Sequence, residues 1–114
     1  MLWIATEGCL DQFDPINETF TRYQHDSNNP NSLSNDFIWV VYKDRIGIMW
    51  IGTEGGLNRL DPNTKTFSSY QHDKDNPHSL NNNTVISIYE DKANLLWIGV
   101  WVLGLDYEEK LKKC

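Results

Sequence analysis

Short runs of β-branched and aromatic residues alternate along this chain with clusters of Asp, Asn, Gly, Pro and Ser, and no run keeps a helical apolar period for long. The pattern predicts strands. The densest apolar run, Phe37 to Lys43, has almost no polar break, so it is expected to be a strand buried on both faces. A turn at Asp44 to Gly47 leads to a second strand from about Ile48 to Thr53. Gly55-Gly56 is expected to form the next hairpin, because a tight turn needs a residue that tolerates positive φ. The third strand, Leu57 to Leu60, stops at Asp61-Pro62-Asn63-Thr64, where Pro62 fixes φ and Asp61 can accept a hydrogen bond from the backbone two residues on. The fourth, Thr66 to Tyr70, alternates polar and apolar as a solvent-facing edge does. A long polar connection, Gln71 to Asn83, leads into a new first strand at Thr84 to Glu90.

This order of elements recurs. Residues 2–48 written above residues 49–95 without a gap agree at about 21 of 47 positions, far more than shared composition produces. Trp3, Trp50 and Trp97 are spaced 47 apart and each precedes Ile, at Ile4, Ile51 and Ile98. The match continues through Thr6 with Thr53, Glu7 with Glu54, Leu10 with Leu57 and Asp14-Pro15 with Asp61-Pro62, and through Tyr23-Gln24-His25-Asp26 with Tyr70-Gln71-His72-Asp73. Four strands per unit is the content of a propeller blade, and solenoids of helix pairs, which share similar periods, would need an apolar spacing that is missing here. The fold class is therefore all-β, with β-propeller blades of four antiparallel strands. Residues 2–35 supply the last three strands of a blade, 36–72 a complete blade, 73–83 a connecting loop, 84–107 the first three strands of another, and 108–114 a tail.

That is about two and a half blades, whereas a closed propeller needs about four to eight. A chain that starts in mid-blade is expected to be a fragment or a truncated gene product. Each blade buries its faces on its neighbours, so copies are expected to associate through the incomplete first and third units, extending or closing a ring as a homo-oligomer.

Composition changes this picture only at its edges. With 114 residues and 39% hydrophobic residues, five Trp among them, the chain can bury a core. Its net charge of −6 disfavours nucleic acid and anionic lipid as partners. No apolar stretch is long enough to span a bilayer, and Met1-Leu2-Trp3-Ile4 lacks the features of a signal peptide. The basic run Lys110, Lys112, Lys113 reads as a solvated tail. Cys9 and Cys114 have no metal-ligand neighbour and indicate no disulfide framework, although a thiol at the last residue could cross-link copies under oxidation.

The segment Trp50-Ile51-Gly52-Thr53-Glu54-Gly55-Gly56-Leu57-Asn58-Arg59-Leu60-Asp61, with Thr66-Phe67 and the Tyr70 to Leu80 connection, closely resembles the two-component regulator propeller repeat. The resemblance spans residues 2 to about 107. It implies a sensor region outside the cytoplasm of bacterial hybrid histidine kinases, especially those of gut Bacteroidetes that sense polysaccharide fragments. A periplasmic parent receptor, an oligosaccharide ligand for that parent, no catalysis and no cofactor are what it leads one to expect. The alternative is a protein-interaction scaffold assembling through blade edges. The structural positions of the repeat are Trp3, Trp50, Trp97, Gly52, Gly55, Gly56, Asp61 and Tyr70. Two units depart from it: the first has Ala5 and Cys9 for Gly52 and Gly56, and the third reads Gly99-Val100-Trp101-Val102-Leu103-Gly104-Leu105, an atypical version of the turn.

Candidate chemistry is sparse. His25 and His72 occupy equivalent positions, which favours a structural hydrogen bond tying the fourth strand to the next loop over a ligand role. Asp73, Asp75 and Asn76 begin like a calcium loop but lack its glycine and distal Glu. The glycines at 52, 55 and 56 have no following Lys or helix for phosphate, and no Ser-His-Asp or Cys-His arrangement stands out. The sequons at Asn17 and Asn82 read as chance in an Asn-rich chain. Trp39 and Trp101 break the repeat, standing where the other unit has Ile86 and Glu54, and are the ligand-binding candidates because sugar rings stack on exposed aromatic faces. For Trp39, filling the core between blades is the favoured reading over ligand contact. For Trp101, subunit contact and ligand contact stand level.

Overall fold

The computed structural model describes residues 2–5, 10–80, 82–102 and 105–112, with the backbone alone for 102 and 105–112. Among the described residues ten strands form three antiparallel sheets, one per unit of the repeat. The first contains β1 (Leu2–Ala5), β2 (Leu10–Asp14) and β3 (Thr19–Tyr23) in that order. The second, a full blade, contains β4 (Ile38–Lys43), β5 (Met49–Thr53), β6 (Gly56–Leu60) and β7 (Phe67–Tyr70). The third contains β8 (Val85–Glu90), β9 (Leu95–Val102) and β10 (Leu105–Lys112), with β9 in the middle. The last strand runs on through residues 108–112, where a tail is expected from the sequence. Its backbone pairs there with β9, down to Lys112 opposite Leu95. Cys9, Lys113, Cys114, the pair Thr6-Glu7 and the Leu103-Gly104 turn lie outside the described residues.

The sheets stack face to face through two apolar layers. Between the first and second lie Leu10, Leu33, Ile38, Met49, Ile51, Leu60 and Phe67, with Trp3, Tyr23 and Val41 packed against them. Between the second and third lie Trp50, Leu57, Leu80, Val85, Ile88, Leu96, Ile98 and Val100. The alternation of strand side chains explains this division. On β5, Met49 and Ile51 point to the first sheet, and Trp50 points to the third. Gly52 carries the same role into the backbone: a Cβ there would come within 2.6 Å of Val40 Cγ1, and within 2.8 Å of Val85 Cγ1 and O, so its lack of a side chain lets the third sheet close on the second.

The strand buried on both faces is thus β5, all five of whose residues are buried, and not the first strand of the blade. In β4 only Ile38 is buried. The physical reason is position. As the outermost strand of its sheet on that side, β4 pairs with a strand on one edge only, while β5 is flanked by β4 and β6 and covered by a sheet on each face.

Local chemistry sets the turns. Glu54 and Gly55 form a two-residue turn, and Gly56, at φ 122°, opens β6 opposite Thr53; the hairpin sits one residue earlier than the glycine pair suggests. Gly55 serves a close approach, since a Cβ there would lie 2.8 Å from Asn35 Cβ and 2.9 Å from Ser34 O. Asp61 Oδ1 accepts the backbone N–H of Asn63 at 2.8 Å and of Thr64 at 3.3 Å, as its turn requires. These bonds hold its carboxyl below the usual carboxylate range, the one from Asn63 contributing most. Asp14 does the same in the first unit, where the Asn17 side-chain amide is the largest influence.

A second device repeats at the turn between first and second strands. Asp44 Oδ1 accepts the N–H of Ile46 and Ile48, and Oδ2 accepts the Trp50 indole N–H at 2.9 Å. Asp91 holds Ala93, Leu95 and the Trp97 indole in the same way, the last at 2.8 Å. One carboxylate therefore shapes the turn and fixes the orientation of the tryptophan that follows six residues on.

Candidate functional site

The connection between units ends in an Asx turn that launches the first strand: Asn35 Oδ1 accepts the N–H of Phe37, and Asn82 Oδ1 accepts that of Thr84. The second strand returns to the same end, where Glu54 N–H donates to Phe37 O and Trp101 N–H donates to Thr84 O. Both units thus bring a first-strand start and a second-strand finish together, and Trp39 and Trp101 lie at this common end.

Trp39 sits in a register shift between Ile38 and Val40, a β-bulge. Its counterpart Ile86 sits in the same shift between Val85 and Ser87. The bulge turns the Trp39 ring out of the packed layers, so it is 45% exposed and leans on Phe37 at 5.2 Å between ring centroids. Trp39 therefore does not fill the core between blades. Trp101 is 48% exposed. No ring contact joins the two indoles among the described residues. Ser34, Asn35 and Asn58 border the Phe37 side of this end with a polar network, in which Asn58 Nδ2 donates to Ser34 Oγ at 2.7 Å.

The other repeat positions have packing and turn roles. Trp3 stacks on Tyr23 at 5.9 Å, and Trp50 lies 6.2 Å from Tyr70, so the second-strand tryptophan meets the fourth-strand tyrosine in both units. Burial of Tyr23 raises its pKa above the ordinary phenol value. His25 Nδ1 is 2.7 Å from Leu33 O, and its backbone N–H donates to Asp36 Oδ1. His72 repeats the pair with Leu80 O and Asn83 Oδ1. Each histidine thus ties the end of a blade to the loop leading into the next. Asp73 Oδ1 accepts the N–H of Asp75, which makes the calcium-like segment a turn. Among the described residues no group of His, Cys, Asp or Glu is arranged to hold a metal ion.

Two clefts lie away from the aromatic end. One of about 150 Å³ opens between the first and second sheets, lined by Trp3, Gln12, Lys43, Met49, Pro62 and Lys65. Another of about 260 Å³ runs along the outer edge beside Arg22, Tyr23, Asn31 and Thr66.

The repeat reading does not reveal the junction at Arg45. Its backbone N–H donates to the buried Glu90 Oε1 at 2.9 Å, and its guanidinium donates to Asp91 O at 2.7 Å and Asn94 Oδ1 at 2.8 Å. Lys43 stands where the next unit has Glu90, a departure from the repeat of the same kind as Trp39 and Trp101.

Antiparallel sheets stacked in tandem, one of four strands between two of three, define this chain as a run of β-propeller blades. Residues 32–55 and 79–102, two stretches one repeat apart, match the model of the two component regulator propeller family. Among solved structures, the chain is similar to the extracellular domain of BT3049, assigned as a hybrid two component system of B. thetaiotaomicron. The identity is 32% and the TM-score 0.74, over 84% of this chain and 14% of that one. Two structures of the extracellular domain of BT4673 from the same organism are also similar. One is 27% identical with TM-score 0.68, over 86% of this chain and 12% of that one. The other, at 24% identity and TM-score 0.68 over 85% and 12%, supports the fold. The chain thus spans about one seventh or less of the length of these structures. A search of the curated proteins finds no match. Among the described residues no helix is long and apolar enough to cross a membrane.

Proposed function

We propose that this chain supplies blades of a non-catalytic sensor propeller, in a receptor whose ligand-binding part lies in the periplasm and contacts oligosaccharide. The observation that carries the reading is the exposure of Trp39 and Trp101 at the same end of neighbouring blades, at positions where the repeat has Ile86 and Glu54. An apolar side chain free of the shared packing rule, turned out by a bulge, presents a flat face of the kind on which a sugar ring stacks. The likeness to extracellular domains of two component systems supports a location outside the cytoplasm for the parent. Asn35, partly exposed beside Phe37, would supply a partner for sugar hydroxyls at the rim.

The test is a thermal-shift and titration screen against neutral and acidic oligosaccharides, with Trp39→Ala and Trp101→Ala beside the parent sequence. The reading expects a glycan that raises the melting temperature of the parent and loses at least tenfold in affinity with either variant. Indifference to every glycan, or binding untouched by both variants, would overturn it.

A further inference from the structure

The cleft between the first and second sheets lies at the end of the blades away from Trp39, since Lys43 is the last residue of β4 and Trp39 stands near its start. Its walls belong to a junction inside the run, so a unit stacked on either outer sheet would cover other faces and leave them in place. Side-chain alternation assembles the lining. On β4, Val41 faces the first sheet, and Lys43, two residues on, faces the same way. On the opposite wall Trp3 and Gln12 are cross-strand partners and share a face. Trp3 stacks on Tyr23, whose hydroxyl donates to Gln12 Oε1 at 3.4 Å and leaves the amide N–H groups of Gln12 to donate elsewhere. Met49 and Leu60 form an apolar back wall. Gly47 keeps the space open: the nearest atom that a Cβ there would meet is Lys43 Cε, at 4.0 Å. A volume of about 150 Å³ holds about five waters at ~30 Å³ each, which is room for a molecule of one ring.

Charge singles this cleft out. The chain has a net charge of −6, yet among the described residues the cleft is lined by two lysines, Lys43 and Lys65, and by no carboxylate. Neither ammonium joins an ion pair among the described residues. Each lysine stands where another unit has a glutamate, Lys43 against Glu90 and Lys65 against Glu18. At the second junction Glu90 and Asn94, the counterparts of Lys43 and Gly47, are both bound by Arg45, so that place serves to join two sheets. At the first junction a cation and a missing side chain replace them, and the cation is left facing an amide and an apolar wall.

We propose that this cleft binds a small organic acid, its ring-sized body against Trp3, Met49 and Leu60 and its carboxylate on the Lys43 and Lys65 ammoniums and the Gln12 amide. A few polar groups converging over an apolar wall is the usual make-up of a small-ligand site. Lysine, a flexible point charge, suits a carboxylate carried by an aromatic acid or by a sugar acid alike. The site lies apart from the oligosaccharide contact proposed at Trp39 and Trp101 and does not depend on it.

Titration of the chain followed by heteronuclear NMR tests this, with benzoate and glucuronate as the two acids, benzamide as the uncharged isostere of benzoate, and sulfate as charge without a body. The expected result is saturable binding of at least one acid, with shifts centred on the Trp3 indole and the Gln12 side-chain amide. Preference for benzoate or for glucuronate tells an aromatic acid from a sugar acid, and either supports the proposal. Lys43→Gln and Lys65→Gln, both at exposed positions, are each expected to weaken that binding about threefold and the double variant about tenfold, with the spectrum otherwise kept. Failure of both acids to bind overturns the proposal. So does benzamide binding as well as benzoate, sulfate binding as well as either acid, affinity unmoved in the double variant, or shifts centred on the Trp39 indole at the other end.

Discussion

Arg45 and Glu90 join the second blade to the third: the Arg45 backbone N–H donates to Glu90 Oε1 at 2.9 Å, and the guanidinium Nε stands 3.8 Å from the same oxygen. The Glu90 carboxylate is almost wholly buried, while the Arg45 side chain is half exposed. The two ends of this contact are therefore unequal. Replacing Glu90 by Ala leaves a part-buried N–H without its acceptor and removes a buried side chain, and is expected to cost about 2–3 kcal/mol. Arg45→Ala keeps the backbone bond and loses a partly solvated guanidinium, for about 1 kcal/mol. Urea denaturation of both variants checks the order; an equal or reversed loss would contradict it.

Gly52 allows the second and third sheets to approach. Gly52→Ala places a methyl against Val40 and against the backbone and side chain of Val85, and is expected to destabilise by about 1–3 kcal/mol. Ala5, at the same place in the first unit, is exposed, so Ala5→Gly is expected to cost only the added backbone entropy, about 0.5–1 kcal/mol by urea denaturation.

Lys65 and Glu18 hold equivalent turn positions at φ 61° and 54°, in the left-handed region that favours glycine. Lys65→Gly is expected to raise stability by about 0.5–1 kcal/mol, the relief of strain exceeding the added chain entropy. Thermal denaturation with Lys65→Ala as the control, which keeps the strain, measures it.

Asp14, Asp61 and Asp91 all ionise below the ordinary value of 3.8, because hydrogen bonds favour their charged forms. For Asp91 the Trp97 indole is the leading cause, followed by the Leu95 N–H. A carboxyl with a depressed folded-state pKa adds stability that is complete above its unfolded value and lost as pH falls through the folded one. Stability is therefore expected to hold from pH 7 to about 5 and to decline below about 4. The double variant Asp61→Asn, Asp91→Asn is expected to flatten that acid limb, and urea midpoints between pH 2.5 and 7 read the difference.

Much of the fold is legible in the sequence because the repeat states it twice. The strands of the second unit begin within one residue of the places their composition indicates, and Asp61 turns the chain by the bond its position implies. Burial is less legible. The Phe37 to Lys43 run is apolar throughout, yet it occupies an edge, and MWIGT, with a Gly and a Thr, is the buried centre. Strand order within a sheet decides burial, and hydrophobicity along one strand does not carry it. The Arg45–Glu90 contact is hidden for another reason. A repeat directs attention to positions that agree, whereas a junction between particular units is written where they differ, at Lys43 against Glu90. The exposure of Trp39 depends on a bulge that neither its type nor its spacing announces.

The central claim, that the sheets stack face to face about the second blade, is tested most directly by native-state amide hydrogen exchange. β5 is paired on both edges and covered on both faces, so its amides from Trp50 to Gly52 are expected to exchange slowest in the second unit, well behind those of the edge strand β7. Exchange in β5 as fast as in β7 would mean that no sheet covers it, and the stacked arrangement would be wrong.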